Sequence, residues 1–421
     1  MHHFQTREGT LYCEDVALET IEREVGTPCY VYSRATIERH FRVFDAALAG
    51  HPHLICYSVK ASSNLAILKL LAGCGAGMDV VSGGELYRAL RAGVDPKRII
   101  FGGVGKREDE IEAGLRAGIL LLNVESHQEL DLCDRVAARL GVCAPVSIRV
   151  NPDVDAETHP YISTGLRKNK FGVPAARARE EYRHAASLSH LAVRGIDCHI
   201  GSQLTRLDPL RDAIGRVAEL ARELREGGAP LEFLDVGGGL GIPYREEDSV
   251  PSPADYGRML DLALAPFSGL GLTVLCEPGR VIVGNAGVLL MRVLNLKEGE
   301  EKAFVVVDTA MNDLLRPALY GSHHEIRHVR QADRPPLVAD VVGPICESSD
   351  YFARDRAIGR PAPGDLLVAM SAGAYGFSMS STYNTRPRAA EVLCDGGRFA
   401  VIRRRETLED LVRAESIPAW L

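Results

Sequence analysis

The chain has 421 residues, 46% hydrophobic and 25% charged, which is enough for two domains and a large buried core. A net charge of −7 argues against nucleic acid or an anionic membrane as the main partner. The ten cysteines form no CxxC pair, the N-terminus lacks a signal-peptide core, and no apolar run of about 18 residues occurs. These features predict a soluble, cytoplasmic protein with reduced thiols.

Short β-rich runs alternate with amphipathic helical runs between about residues 30 and 280. Ile37, Phe41, Phe44 and Leu48, for example, have the spacing of one helix face. A helix between successive strands indicates a parallel sheet, and eight such units fit a closed (β/α)8 barrel of the TIM type. An open doubly wound sheet is the alternative. The predicted strands are 53–60, 77–82, 98–103, 120–126, 145–152, 193–202, 231–239 and 273–280.

After Arg280 the sequence changes to β-branched runs separated by Gly, Pro and Asp, among them the run that starts at Val281. The cluster 395–397, Asp-Gly-Gly, predicts a hairpin, and a short helix is expected around Leu408–Ala414. Strand-like runs in the first 30 residues could pair with this part. We therefore predict a barrel domain of 30–280 and a mainly antiparallel β-sandwich or barrel domain made of 1–29 plus 281–421.

The C-terminal ends of the predicted strands carry many polar side chains, and this is where the active site of a (β/α)8 barrel lies. They are Lys60, Asp79, Ser82, Glu125, Arg149, Asn151, His199, Ser202, Gly237–Gly239, Glu277 and Arg280. The first and eighth strands are neighbours in a closed barrel, so Lys60 and Glu277 should approach each other. Schiff-base formation requires an amine in a shielded site, and a buried carboxylate can keep a pyridine nitrogen protonated. A solvated lysine and a structural salt bridge are the alternatives.

Two glycine-rich turns follow the seventh and eighth strands. Gly237–Gly241 lacks the last glycine of the dinucleotide-binding motif, but its amides could bind an anion, as could those of 278–279. His199 could stack on a cofactor ring or be an ordinary core histidine. No metal-ligand spacing is found, and His323-His324 is expected to lie on the surface.

Twelve motifs resemble the diaminopimelate decarboxylase family, which belongs to the alanine-racemase-like, fold type III pyridoxal-phosphate enzymes. They run in order from about Tyr12 to Arg405, so the resemblance covers nearly the whole chain. It implies a (β/α)8 barrel, a β domain that takes in the N-terminal segment, and pyridoxal 5'-phosphate as cofactor. The motifs are YSVKAS, DVVSGGEL, NVES, IRVNPDVD, THPYISTG, KFG, HIGSQ, GGGLGIPY, CEPGR, LLRPALYGS, GPICESSD and SAGAYGFSMSSTYN.

The resemblance also implies roles at the cofactor. Lys60 would be the Schiff-base lysine, Glu277 would pair with the pyridine nitrogen, and His199 would stack on the ring. Asp79 would be among the cofactor-binding residues. Asn151 and Lys170 also match family motifs, and the roles of all three are left open. The phosphate would be held by Ser202, Gly238, Gly239, Gly279 and Arg280, with Tyr375 beside it.

The substrate has an amino-acid group at each end, and the resemblance implies binders for the distal one. Its carboxylate would be bound by Arg280, Arg316 and Tyr320, with Tyr375 nearby, since arginine suits bidentate carboxylate recognition. Glu347 would bind the ammonium group and Cys346 would reprotonate the carbanion. The resemblance implies a homodimer with shared active sites, completed by Cys346 and Glu347 of the partner subunit. The segment 159–165 would form a lid.

The implied activity is decarboxylation of meso-2,6-diaminopimelate to L-lysine and carbon dioxide, the last step of lysine biosynthesis. A related basic amino-acid or carboxy-polyamine decarboxylase of the same fold is the alternative. A non-catalytic regulator derived from this fold and an amino-acid racemase are further alternatives. The lysine and the phosphate-site residues disfavour the regulator, and the CES…D segment disfavours the racemase.

Overall fold

The computed structural model describes residues 2–156, 159, 162, 164–165, 169–331 and 333–421. The chain divides into two compact units. The barrel unit comprises Glu38–Pro243 and Ser249–Ile282, and the β unit comprises Met1–Ile37, Tyr244–Asp248 and Val283–Leu421. The predicted domain limits of 30–280 and 1–29 plus 281–421 stay a prediction.

The strands in the described part of the chain are short, and β14 is the longest. They are β1 Phe4–Arg7, β2 Thr10–Cys13, β3 Val16–Ala17, β4 Cys29–Ser33, β5 His53–Ser58, β6 Gly77–Val80, β7 Ile99–Phe101, β8 Leu121–Val124, β9 Ala144–Asn151, β10 Val173–Pro174, β11 Leu191–Asp197, β12 Phe233–Asp235, β13 Thr273–Cys276, β14 Gly287–Glu298, β15 Ala303–Val307, β16 Ile326–His328, β17 Pro336–Val342, β18 Tyr351–Gly359, β19 Leu366–Ala369, β20 Ala390–Asp395 and β21 Arg398–Arg403.

The α-helices lie mainly between the strands of the barrel unit. They are α1 Leu18–Val25, α2 Arg34–Ala47, α3 Leu65–Gly73, α4 Gly83–Arg91, α5 Glu108–Ala117, α6 His127–Leu140, α7 Ala175–Ser187, α8 Asp208–Glu226, α9 Pro253–Leu264, α10 Arg280–Val283, α11 Arg316–Tyr320 and α12 Leu408–Val412. Among the described residues, none of these helices combines the length and the apolar character that a bilayer crossing requires. All ten cysteines are free.

Eight strands close into a parallel barrel, which confirms the predicted fold. The ring runs β5-β6-β7-β8-β9-β11-β12-β13 and returns to β5, with every pairing parallel. All eight predicted strands are present, with ends shifted by a few residues, and β10 adds a short parallel pairing to β9. The closed ring excludes the open doubly wound sheet. Its strand ends bring the polar residues to one rim.

An apolar layer lies inside the barrel below this rim. Cys56 and Leu275 precede Ser58 and Glu277 by two residues, so each pair faces the same side of its strand. They pack with Ile100 and with Leu121, and all four apolar side chains are buried. The polar groups at the strand ends therefore lie above an interior surface that offers no hydrogen bonds.

The β unit contains a nine-stranded, mainly antiparallel sheet ordered β18-β17-β15-β14-β4-β20-β21, with β16 and β19 attached through β14. The N-terminal strand β4 pairs antiparallel with β14 and parallel with β20, so the N-terminal segment joins this sheet as predicted. The predicted hairpin connects β20 to β21 through Gly396, whose φ of 59° suits a tight turn. The run that starts at Val281 begins with helical turns over 280–286 and becomes a strand only at Gly287, where β14 starts.

Asp313 is a buried carboxyl group in the β unit, and we predict a measurable pH effect from it. Burial raises the pKa of Asp313 to about 7, although its Oδ2 accepts a hydrogen bond from the Ala310 amide at 3.1 Å. The folded chain holds a proton that the unfolded chain releases near pH 4, so this group's stabilising contribution is lost as pH rises to 7. Between about pH 5 and pH 7 the wild type should lose about 2 kcal/mol of unfolding free energy relative to Asp313→Asn.

Denaturant unfolding of both proteins at several pH values would measure this difference. The matched control is Asp212→Asn, which makes the same chemical change on an exposed part of α8. Its free energy of unfolding should follow the wild type at every pH. Parallel curves for the wild type and Asp313→Asn would contradict the prediction.

Candidate active site

Lys60 lies at the rim of the barrel, in a short 3-10 helix, Val59–Ala61, that directly follows β5. Its Nζ is 2.6 Å from Asp79 Oδ2, and Asp79 lies in the neighbouring strand β6 with 2% exposure. Ser58 Oγ also lies 3.0 Å from the same carboxylate oxygen. The lysine side chain keeps 36% of its surface exposed, so its amine is both held by an anion and accessible. Asp79, whose role the sequence left open, is the direct partner of Lys60.

Glu277 follows β13, the strand that pairs with β5 and closes the barrel. Its side chain is buried, and burial raises the pKa of Glu277, as do the facing carboxylates of Asp79 and Asp235. Positive charge placed against this carboxylate would stabilise its ionised form. It is therefore suited to bind a protonated ring nitrogen.

His199 follows β11 and is largely buried beside Glu277. The Gly238 N–H donates to His199 Nδ1 at 3.1 Å, which assigns the ring proton to Nε2. Burial lowers the pKa of His199, and the nearby charges of Arg149 and Lys60 lower it further. The ring is therefore neutral, and the 3.8 Å separation between Nδ1 and Glu277 Oε2 is not an ion pair.

Arg149 organises the other side of the rim. Its Nη1 donates to Glu125 Oε1 at 3.0 Å, and its Nε lies 3.9 Å from Asp197 Oδ2. The Glu125 carboxylate also accepts the amide protons of Gly103 and Gly172, at 3.2 and 2.9 Å. These hydrogen bonds hold the Glu125 carboxylate in place, and Glu125 in turn fixes the position of the Arg149 guanidinium group at the rim.

The turn after β12 packs closely against the segment that follows β13. A Cβ on Gly238 would lie 2.0 Å from the Glu277 carbonyl oxygen, and Gly239 has a φ of 105°. Only glycine fits both positions. The Gly238 amide donates to His199 Nδ1, so its predicted role as a phosphate donor stays a prediction. Ser202 Oγ accepts a hydrogen bond from Arg280 Nη2 at 3.0 Å, which places a guanidinium group and a hydroxyl together. Backbone amides, a cation and a hydroxyl are the donors that a phosphate group requires.

These residues fit pyridoxal phosphate on chemical grounds. An accessible amine, a buried carboxylate and a glycine-rich turn with an adjacent arginine match its aldehyde, its ring nitrogen and its phosphate. The barrel unit thus contains all the predicted cofactor residues except Tyr375. That residue belongs to the β unit, where its φ is 56°.

Arg316 is a buried arginine of the β unit, at the start of α11. Its Nη1 donates to His324 Nε2 at 2.9 Å, and His324 Nδ1 lies 2.9 Å from the Met370 carbonyl oxygen. The Tyr244 ring lies 4.6 Å from the guanidinium carbon of Arg316. The expectation that His324 is a surface residue is wrong, because its exposure is 0% and it orients Arg316. Adjacent histidines in a polar stretch gave no sign of this burial.

We expect His324→Phe to lower the free energy of unfolding by about 1–3 kcal/mol, because the Met370 carbonyl and Arg316 Nη1 each lose a buried partner. Chemical denaturation measures the loss. The matched control is His323→Phe, at a less buried neighbouring ring that accepts from Arg356, where the change should be smaller. Equal losses in the two variants would mean that the hydrogen bonds to His324 contribute nothing.

Cys346 and Glu347 lie in an exposed loop of the β unit between β17 and β18. The loop is anchored by Asp350, whose two carboxylate oxygens accept the amide protons of Met311 and Ile345, both at 2.7 Å. Hydrogen bonds from Ser349 and from the Tyr383 hydroxyl hold the pKa of Glu347 below its usual range. Glu347 is therefore ionised at neutral pH.

The structure thus brings the predicted residues together in two groups. Lys60, Asp79, His199, Glu277 and the phosphate donors share the barrel rim, whereas Arg316, Tyr320, Cys346, Glu347 and Tyr375 belong to the β unit. Residues 160, 161 and 163 of the predicted lid, 159–165, lie outside the described residues. The roles of all these residues stay predictions.

Comparison with known proteins identifies the family. Residues 34–284 match the pyridoxal binding domain of the pyridoxal-dependent decarboxylases. The chain is 54% identical to diaminopimelate decarboxylase from Pseudomonas aeruginosa over 417 residues, and 51% identical to that from Vibrio cholerae over 418. Each alignment covers 99% of both chains.

Solved structures give the same result. Diaminopimelate decarboxylase from Helicobacter pylori complexed with L-lysine is 46% identical, with a TM-score of 0.91, covering 94% of this chain and 99% of that one. The M. jannaschii enzyme in co-complex with L-lysine is 37% identical, with a TM-score of 0.95 and complete coverage of both chains.

The match over residues 34–284, together with the closed (β/α)8 barrel, places the chain among the pyridoxal-dependent decarboxylases, which are lyases. Within that class, the chain belongs to the diaminopimelate decarboxylase family.

Proposed function

We propose that this chain converts meso-2,6-diaminopimelate to L-lysine and carbon dioxide, the final step of lysine biosynthesis. The observation that carries the proposal is the Lys60 amine, held 2.6 Å from the buried Asp79 and one strand away from the buried Glu277. Pyridoxal phosphate supplies an electron sink that accepts the electron pair left when the carboxylate departs.

The chain's own residues hold the cofactor and control protons. Lys60 would bind the cofactor covalently and Asp79 orients its amine. Glu277 would keep the ring nitrogen protonated, and the neutral His199 ring would lie against the ring face. The phosphate binders would be Ser202, Gly238, Gly239, Gly279 and Arg280.

The substrate's distal amino-acid group needs partners of opposite charge. The proposed carboxylate binders are Arg280, Arg316 and Tyr320, with Tyr375 beside them, and the ammonium binder is Glu347. Cys346 would return a proton to the reacting carbon. The bonds from His324 and the stacked Tyr244 support the assignment of Arg316, because they hold its guanidinium group in one orientation.

Carbon dioxide release from meso-diaminopimelate, with and without added pyridoxal phosphate, tests the proposal. Ornithine, arginine and lysine serve as competing substrates, because each lacks the distal carboxylate that Arg316 would bind. Turnover of diaminopimelate alone, with L-lysine as product, is expected. Faster turnover of ornithine or arginine would favour the related basic amino-acid decarboxylase.

We also propose a cytoplasmic homodimer in which Cys346 and Glu347 of the partner subunit complete each active site. The exposure of both side chains in the single chain supports this arrangement. Mixing the inactive variants Lys60→Ala and Glu347→Ala should restore part of the activity, because one site of a mixed dimer then contains both native residues. No recovery, with mixed dimers shown by mass, would contradict shared sites.

A further inference from the structure

The barrel interior holds more carboxyl groups than cations. Asp79 has Lys60 as its partner and Glu125 has Arg149, both within hydrogen-bond distance. Three others remain, and we call Asp197, Asp235 and Glu277 the inner carboxyl cluster. One oxygen from each lies within 4.8 Å of the other two, and all three side chains are buried.

The hydrogen bonds around this cluster are unequal. Asp235 accepts from Asn123 Nδ2 at 3.2 Å and from the Gly237 amide at 3.0 Å, so both of its oxygens face donors. Asp197 Oδ2 lies 3.9 Å from Arg149 Nε, beyond hydrogen-bond distance. Among the described residues, Asp197 Oδ1 is buried without a hydrogen-bond partner.

A buried anionic oxygen without a donor is unfavourable, and a protonated oxygen removes that cost. The apolar layer of Cys56, Ile100, Leu121 and Leu275 closes the barrel below, so apart from the weak thiol donor of Cys56 that side is apolar. Burial and the facing carboxylates raise the pKa of Asp197 and of Asp235, in agreement with this geometry. Three ionised carboxylates cannot coexist here without a compensating cation.

We propose that Asp197 holds a proton beside the ionised Asp235, and that both are positioning residues that leave Glu277 ionised for the cofactor's ring nitrogen. The Asp197–Asp235 pair therefore carries a single negative charge. The role toward the cofactor rests on the proposed function of Glu277, whereas the protonation of Asp197 does not.

Other titratable groups face this pair from the surrounding strands. Three of these groups are the thiols of Cys56, Cys198 and Cys276. Burial raises their pKa values and that of the Tyr256 hydroxyl, so all four groups stay neutral. The charge balance of the pair is therefore set by the charged residues around it. The facing groups are Lys60, Asp79, Glu125, Arg149, His199, Glu277, Cys56, Cys198, Cys276 and Tyr256.

Infrared spectroscopy of the holoenzyme at about pH 9 tests the protonation of Asp197 directly. A protonated carboxyl group has a carbonyl stretch above the amide bands that shifts in D2O. At this pH the exposed carboxyls are ionised, as are Asp313 and Glu85, whose pKa values burial raises to about 7. We expect one such band in the wild type, in the exposed control Asp212→Asn and in Asp235→Asn, and its loss in Asp197→Asn. Asp235→Asn keeps the band because its Asp197 still faces the ionised Glu277 and its Oδ1 still lacks a donor.

Cofactor affinity adds a second readout, because it depends on charge rather than on packing. Asp197→Asn keeps the pair's one negative charge, on Asp235, so its dissociation constant for pyridoxal phosphate should stay within about threefold of the wild type. Asp235→Asn removes that charge and should weaken binding about tenfold.

Three results would overturn the proposal. They are absence of the band in the wild type, its persistence in Asp197→Asn, and a tightly bound metal ion at one per chain that is lost in Asp197→Asn. Failure of the proposed role of Glu277 would be distinguishable, because it leaves the band in place while Glu277→Gln keeps wild-type cofactor affinity and turnover.

Discussion

Lys60→Ala is expected to lower kcat/KM for decarboxylation by at least about 10³-fold, the scale on which a positioned proton-transfer group contributes to rate. The variant also loses the covalent attachment of the cofactor, and it leaves the buried Asp79 carboxylate without its cation. Carbon dioxide release measures the first effect. The mass of the protein after borohydride reduction measures the second, since the wild type gains the cofactor's mass and the variant does not.

The control for this variant is Lys69→Ala, which removes the same positive charge from an exposed lysine on α3. It should retain activity and the covalent cofactor. Full activity of Lys60→Ala, with correctly folded protein, would remove Lys60 from the mechanism.

Glu277→Gln is expected to lower kcat by about 10²–10³-fold, the cost of removing one electrostatic group from a buried reaction centre. A neutral amide cannot keep the cofactor's ring nitrogen protonated, so the ring withdraws electrons less strongly. The effect should fall on kcat rather than KM, because the substrate's distal groups do not contact Glu277 in the proposed arrangement. Steady-state kinetics and the absorbance spectrum of the bound cofactor would measure it.

The matched control is Glu232→Gln, which changes an exposed carboxylate just before β12, paired with Arg194 at 2.6 Å. It should leave kcat, KM and the cofactor spectrum unchanged. A wild-type spectrum and kcat in Glu277→Gln would assign the ring nitrogen to another residue.

The barrel could be predicted from the sequence because its signals are local. Each strand is a short β-rich run followed by an amphipathic helix, and parallel strands place their C-terminal ends together. That rule alone placed Lys60 near Glu277, and the pairing of β5 with β13 agrees with it. The glycine-rich turn at Gly238 was recognisable because only glycine permits such a close approach.

Other features depend on contacts between distant parts of the chain. His324 follows another histidine in a polar stretch, and only the fold shows that it is buried against Arg316. Asp197 and Asp235 end two strands that pair with each other, a relationship visible only once the ring and its register are known. Likewise Lys106, in a stretch faintly similar to a phosphate-binding loop, is buried against Glu129 at 2.6 Å.

The position of β4 has a consequence for biosynthesis. This strand, Cys29–Ser33, is made early, yet both of its neighbours, β14 and β20, emerge more than 250 residues later. During translation its two edges stay unsatisfied, and exposed strand edges promote association with other chains. Any premature stop before Ala390 leaves one edge open permanently. We therefore expect truncated products to aggregate, and the sheet of the β unit to assemble only after nearly the entire polypeptide has left the ribosome.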